Sequence, residues 1–238
     1  VRTFRSEGPL DYGQYAFGYT LWLELEASEP PGAAYAGGYL PYSGNPEAAT
    51  PLFYMARSLR VDLKAFRLAK GRRYDHRQWL RHGLRRRLVS RQAFLDTYGS
   101  VAPGLALGWM QTRFGEPFLT PARLGYILQH PCLRNVLTWE DSSGLRAFAL
   151  LARWEAGVHY WFVFYANGDP EAHPPGHGYL VDFLQWAREE GLPHAYLGTT
   201  YGLKSRYKSR GIEGIEYWDG NRWMADRKQL HRLQASDD

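Results

Sequence analysis

A mixed α+β fold, a sheet flanked by helices, is what this sequence predicts, and three observations carry it. Three strand-like runs, 133–140, 145–154 and 158–165, are joined only by Asp141-Ser142-Ser143-Gly144 and Glu155-Ala156-Gly157, the turn spacing of an antiparallel meander. Residues 179–190 put Leu180, Phe183, Leu184 and Ala187 on one side at helical period. A short strand, Ala195-Tyr196-Leu197, comes straight after that helix and its Gly191-Leu192-Pro193 stop.

Taken in order, the alternation in 17–26 predicts a first strand. The Gly-, Pro- and Ala-rich stretch 27–51 reads as a long loop, extended around Tyr39-Leu40-Pro41. A strand and a turn are expected over 51–66, then a bend at Gly71. From 76 to 98, Leu80, Leu84, Leu88 and Leu95 recur as the apolar stripe of a helix, with Gly99 as its cap. Residues 100–119 show no clear period. Thr120-Pro121 is the N-cap and first position of a helix to about residue 130. Beyond the short strand, 212–218 reads as a further strand, Asp219-Gly220 as a turn, and the tail from Gln234 as frayed. Two parts are expected, a basic one over 1–110 and a sheet-rich one over 111–238.

The 45% hydrophobic content supplies enough apolar surface for a real core. Cys132 is the sole cysteine, which rules out an internal disulfide and any cysteine-based metal cluster. With no signal-type apolar region at the start and no run long enough to span a bilayer, a cytoplasmic protein is expected, with no membrane partner and no metal. The net charge of +5 is unevenly spread: residues 57–91 hold 13 Lys or Arg against Asp62 and Asp75, so the remainder is acidic. A block of that density is either a polyanion-binding surface or the solvated face of a helix.

The stretch from Tyr196 to Gly211 is the most informative. A strand runs into Gly198 and Gly202, and four basic residues, Lys204, Arg206, Lys208 and Arg210, follow around Tyr207. Strand, glycine turn and basic segment together suit an anionic ligand, since backbone N–H groups and cations converge there.

These residues also carry a resemblance. The element order after residue 120 resembles the acyltransferase fold of the GNAT superfamily. Tyr196-Leu197-Gly198, then Lys204, then Tyr207-Lys208, resembles the signature of arginyl-tRNA–protein transferases and their bacterial leucyl-transferring relatives. Residues 159–169 resemble their aromatic strand, and Ser58-Leu59-Arg60, Phe66 and Lys70-Gly71-Arg72-Arg73 resemble an upstream segment. The match departs at Ser58, Lys70-Gly71 and Arg206, and the N-terminal cysteines of that family are missing.

The resemblance implies transfer of an amino acid, arginyl-like, from a charged tRNA to an amine of a protein, peptide or small molecule, with the aminoacyl-tRNA as co-substrate and no other cofactor. It implies Tyr196, Lys204, Tyr207 and Lys208 near the reacting ends, Gly198 and Gly202 admitting close backbone approach, and Arg60, Lys70, Arg72, Arg73, Arg85, Arg86 and Arg87 holding tRNA phosphates. Two other readings stand beside it. An acyl-CoA-dependent N-acyltransferase would seat acetyl-CoA pyrophosphate on His173-Pro174-Pro175-Gly176-His177-Gly178, although two prolines there remove N–H donors. A non-catalytic RNA-binding module would use only the basic block.

Overall fold

The computed structural model describes residues 2–11, 18–26, 29–45, 50–114, 119–166 and 176–237. Two sheets organise them. The smaller is antiparallel, in the order β1 (Arg2–Glu7), β2 (Tyr19–Glu24), β4 (Leu52–Met55), β3 (Tyr39–Pro41). The larger has eight strands, in the order β12 (Trp223–Met224), β11 (Ile215–Trp218), β5 (Ser58–Asp62), β10 (His194–Thr199), β9 (Gly157–Tyr165), β8 (Gly144–Trp154), β7 (Leu133–Asp141), β6 (Arg85–Ser90).

The meander is present as β7, β8 and β9, and its side-chain pattern decides how the layers pack. Val136, Phe148 and Leu150 face α3 (Arg91–Tyr98), α4 (Ala102–Phe114) and α5 (Pro121–Gln129), where Phe94, Ala106 and Ile127 complete one core. Ala147, Ala149 and Leu151 face α6 (Gly176–Glu189). The small alanines leave room there for Tyr179, Phe183 and Trp186, an alternation of small and large residues that fills the layer densely. Strands covered on both faces read as continuous apolar runs, as β8 does. α5 starts as its sequence requires, the Thr120 hydroxyl accepting from Arg123 N–H at 3.1 Å with Pro121 at the first position.

Several expectations are revised. The stripe over 76–98 belongs to no single helix: α2 (Lys70–Leu80) ends before Gly83, whose φ of +63° breaks it, β6 follows, and α3 begins with Ser90 as its cap. Pairing of β6 with β7 outweighed the helical spacing of Leu84 and Leu88. The presumed loop 27–51 contains α1 (Gly32–Ala36) and β3, and residues 102–114 are helical. The tail is anchored: α7 (Arg227–Ser236) buries Leu230 and Gln234 completely. β5 and β6 precede residue 110 yet lie in the large sheet, so the sheet itself is not divided there.

The large sheet is irregular near its centre. Its antiparallel order is interrupted between β9 and β10, which run parallel because α6 carries the chain back across the sheet. The parallel register consists of Ala195 with Val158 and Tyr196 with His159, and the ladder stops there while β9 continues to Tyr165. On its other side, β10 loses register with β5 between Tyr196 and Thr199. Gly198 lies in that irregular step, with φ of +77°, a left-handed conformation that a side chain would oppose.

Candidate active site

Where β9 and β10 part, three elements bring their side chains together. Lys208 ends a 3-10 helix (Leu203–Lys208), and its Nζ donates to the Thr199 carbonyl at 2.8 Å. His159 comes from β9 and is 2% exposed. Its Nδ1 lies 3.0 Å from the hydroxyl of Tyr35, which reaches in from α1. Lys208 Nζ and His159 Nε2 both stand 3.7 Å from the point that a Cβ on Gly198 would occupy. A glycine therefore floors a small space walled by two nitrogens.

Burial sets the charge of each group. Loss of solvation, helped by the charge of Arg113, lowers the Lys208 ammonium to about 8, so it is still mostly protonated at neutral pH. Burial, and secondarily the Lys208 charge, hold His159 at about 3, so its imidazole is neutral. Burial also raises the Tyr35 hydroxyl well above the usual tyrosine range, which keeps its proton on.

The segment bearing Lys208 is held from several sides. Gln234 of α7 donates to Thr200 Oγ1 at 2.8 Å and to Ser205 Oγ at 3.0 Å. Asp237 accepts from Gly202 N–H at 2.9 Å, and Arg206 donates to the His231 carbonyl at 2.9 Å. Arg72 of α2 donates to the Tyr207 carbonyl at 3.1 Å and the Arg210 carbonyl at 2.9 Å, satisfying groups that a helix end leaves open. Such support lets a site hold its geometry without a ligand.

The structure brings Gly198 and Lys208 together, with Tyr207 beside them, its ring 6.0 Å from Lys208 Nζ and its side chain exposed. Gly202 opens the 3-10 helix, again at positive φ. Lys204 lies on the same helix but is exposed to solvent. Tyr196 is 3% exposed, packed among Tyr35, Trp154 and Trp223, and its hydroxyl accepts from Arg60 at 3.4 Å.

The basic block is dispersed. Arg60 is committed to Glu216 at 2.7 Å and lies over the Trp223 ring. Arg86 joins Asp182 at 3.1 Å and Glu189 at 2.7 Å, tying β6 to α6. Arg73 donates to the Leu68 carbonyl at 2.7 Å. Arg85 and Arg87 are exposed on the edge strand β6, four strand spacings or about 19 Å from β10. Charges on such an edge also prevent another strand from pairing with it. Lys204, Tyr207 and Arg210 are exposed on and just after the 3-10 helix, and Lys70 and Tyr74 are exposed on α2, whose start is held beside that segment by the Ala69 N–H bond to the Gly211 carbonyl at 2.9 Å.

The sequence by itself assigns no role to His159 or Tyr35. A histidine inside an otherwise apolar strand was the available signal for the first. Tyr35 sits in a stretch whose composition reads as loop, so nothing pointed to it. Among the described residues, no group of three or more His, Cys, Asp or Glu side chains is arranged to hold a metal ion, and no helix is long and apolar enough to cross a membrane.

The end of α6 bears on ligand choice. Residues 173–175 of the glycine-rich segment lie outside the described residues. At Gly178, an added Cβ would fall inside the Trp79 indole, and at Gly176 against the Tyr165 ring. Aromatic side chains from α2 and β9 therefore pack against the Cβ side of those glycines.

No family model matches the chain. An aspartate/glutamate leucyltransferase of Ruegeria pomeroyi is 28% identical over 178 residues, covering 71% of this chain and 61% of that protein. One of Stenotrophomonas maltophilia is 35% identical over 72 residues, covering 29% of this chain and 28% of that protein. The chain thus spans less than two thirds of the curated relatives it matches. Among solved structures, FemX aligns with a TM-score of 0.49 at 13% identity, over 89% of this chain and 72% of that one. The L-PGS of Bacillus licheniformis aligns with a TM-score of 0.46 at 15% identity, over 90% and 71%.

Proposed function

We propose that this chain is an aminoacyltransferase that takes an amino acid from a charged tRNA and joins it to an amino group, on a sheet of the GNAT type. The observation that carries the reading is the meeting of Lys208 with Gly198 at the point where the β9–β10 ladder stops. Likeness to leucyltransferases over 71% of the chain supports the reaction class.

The substrate is already an activated ester. The nitrogen of the acceptor amine attacks the ester carbonyl, a C–N bond forms, the C–O bond to the ribose breaks, and the ammonium proton is lost while the ribose oxygen takes one up. No covalent enzyme intermediate is required. The protein's part is to align the two substrates and stabilise the negative charge that grows on the carbonyl oxygen. Lys208, half-buried and cationic, is suited to that charge. The absence of side-chain bulk at Gly198 lets the ester approach.

The single-stranded end of the tRNA is assigned to the face formed by Lys70, Tyr74, Lys204, Tyr207 and Arg210. Cations there meet phosphates, and exposed rings offer stacking for unpaired bases. An acetyl-CoA reading fares worse, because Pro174 and Pro175 lack N–H donors that its pyrophosphate would need. A purely passive RNA binder has no use for an inward-facing lysine and histidine.

The test is direct. Incubate the protein with a pool of charged tRNAs and a set of amine acceptors, and read the product by mass. An acceptor heavier by one aminoacyl residue supports the proposal and identifies the amino acid; no product with any tRNA defeats it.

A further inference from the structure

We infer that Tyr35 and His159 act as a dyad that presents a neutral imidazole N–H, beside the Lys208 ammonium, to the carbonyl oxygen of the transferred group above Gly198. The assignment of that oxygen rests on the aminoacyl-transfer reading; the dyad itself does not.

One atom of the dyad is unpaired. His159 is buried, its Nδ1 is engaged by Tyr35 at 3.0 Å, and its Nε2 has no hydrogen-bond partner among the described residues. A buried polar nitrogen without a partner costs on the order of 1–3 kcal/mol, so its persistence points to a ligand atom that pairs with it. That nitrogen stands beside the Gly198 space, as far from the Cβ point as Lys208 Nζ.

The Tyr35 hydroxyl decides which nitrogen carries the proton. Both partners are uncharged, so a single proton lies between Oη and Nδ1. A phenol is a far stronger acid than a neutral imidazole, so Tyr35 donates and Nδ1 accepts. The remaining ring proton then sits on Nε2, which becomes a donor. Tyr35 is itself fixed, stacked on Trp154 with ring centroids 4.3 Å apart and edge-on to Phe53. Two donors thus converge on one point, one charged and one neutral, and their geometry is set before any substrate arrives. A neutral imidazole suits this place better than a charged one, because a second cation beside Lys208 would be expelled.

Replacement by residues of known donor geometry tests the idea. His159→Gln puts an amide N–H near the Nε2 position; His159→Asn puts one near Nδ1; His159→Leu has none. We expect kcat to fall about 100-fold in His159→Leu and His159→Asn, with KM for charged tRNA within about twofold, and His159→Gln to recover most of the loss. Equal loss in all three, or an unchanged kcat in His159→Leu, overturns the donor role. Nitrogen NMR of histidine-labelled wild-type protein needs no variant and no activity. A neutral His159 carrying its proton on Nε2 supports the dyad, and a proton on Nδ1 refutes it. A wild type that transfers nothing from charged tRNA defeats the functional reading instead, and is seen before any variant is made.

Discussion

Arg57 and Asp237 form a two-pronged ion pair, Nη1 to Oδ2 at 2.6 Å and Nη2 to Oδ1 at 3.1 Å, between the start of β5 and the end of α7. Their side chains are 15% and 4% exposed, so water screens the pair little. The same carboxylate accepts from Gly202 N–H. The last turn of the chain thereby grips the segment that carries Lys208. Asp237→Ala should strand the Arg57 charge and cost about 3 kcal/mol, read as a lower urea midpoint. It should also reduce transfer more than a cut in stability alone explains, because the 3-10 helix loses its N-terminal anchor.

Lys208→Met should lower kcat about 100-fold, since it removes a charge aimed at the reacting carbonyl. Lys204→Ala should instead weaken tRNA binding with kcat retained, as expected for an exposed cation on the RNA face. Steady-state kinetics with charged tRNA separate the two. A Lys204→Ala enzyme with low kcat and normal KM would contradict the placement.

Lys208 titrates at about 8, so its acidic form is lost as pH rises through that value. The wild-type pH profile should therefore carry an alkaline limb near pH 8, beyond the rise due to the acceptor amine losing its proton. Lys208→Arg keeps the charge to far higher pH, and the limb should disappear in that variant. A limb that stays in place belongs to another group.

Salt dependence distinguishes the two sets of arginines and lysines. Lys70→Ala and Arg210→Ala should each flatten the slope of log affinity against log salt by about 1. Arg85→Ala and Arg87→Ala should leave it unchanged, because those residues lie on the far edge strand. A flatter slope in the edge variants would move the RNA face to β6.

Acid should unfold the protein early. Burial lowers His159 to about 3 and His130 to about 4, against about 6.5 in the unfolded chain. Between these values the unfolded chain binds protons that the folded one refuses, so stability falls as pH drops below about 6.5. Urea midpoints measured from pH 7 to pH 4 should decline. The decline should be shallower in His130→Leu, whose ring is packed between Tyr126 and Trp161.

Occupancy of the α6 end is open to a simple measurement. Gly178→Ala should destabilise by about 1–3 kcal/mol through collision with Trp79, read by thermal melting. Acetyl-CoA should not raise the wild-type Tm, whereas charged tRNA should.

Local chemistry made part of this molecule readable from its sequence alone. The meander β7–β9, the start of α5 at Thr120-Pro121, the α6 stripe and the glycine-broken basic stretch after Tyr196 depend on periods, caps and turns, whose causes lie within a few residues. Gly198 and Lys208 could be singled out for the same reason. Other features depend on residues far apart in the chain. Leu84 and Leu88 have helical spacing, yet hydrogen bonds to β7, about fifty positions on, make their segment a strand. Arg60 and Arg86 look like phosphate ligands until Glu216 and Asp182 are found against them. Tyr35 and His159 are 124 positions apart, and nothing in either neighbourhood announces the other. Periodicity reports which face of an element is apolar; only tertiary packing decides which charges are already paired, and which polar atom is left facing an empty space.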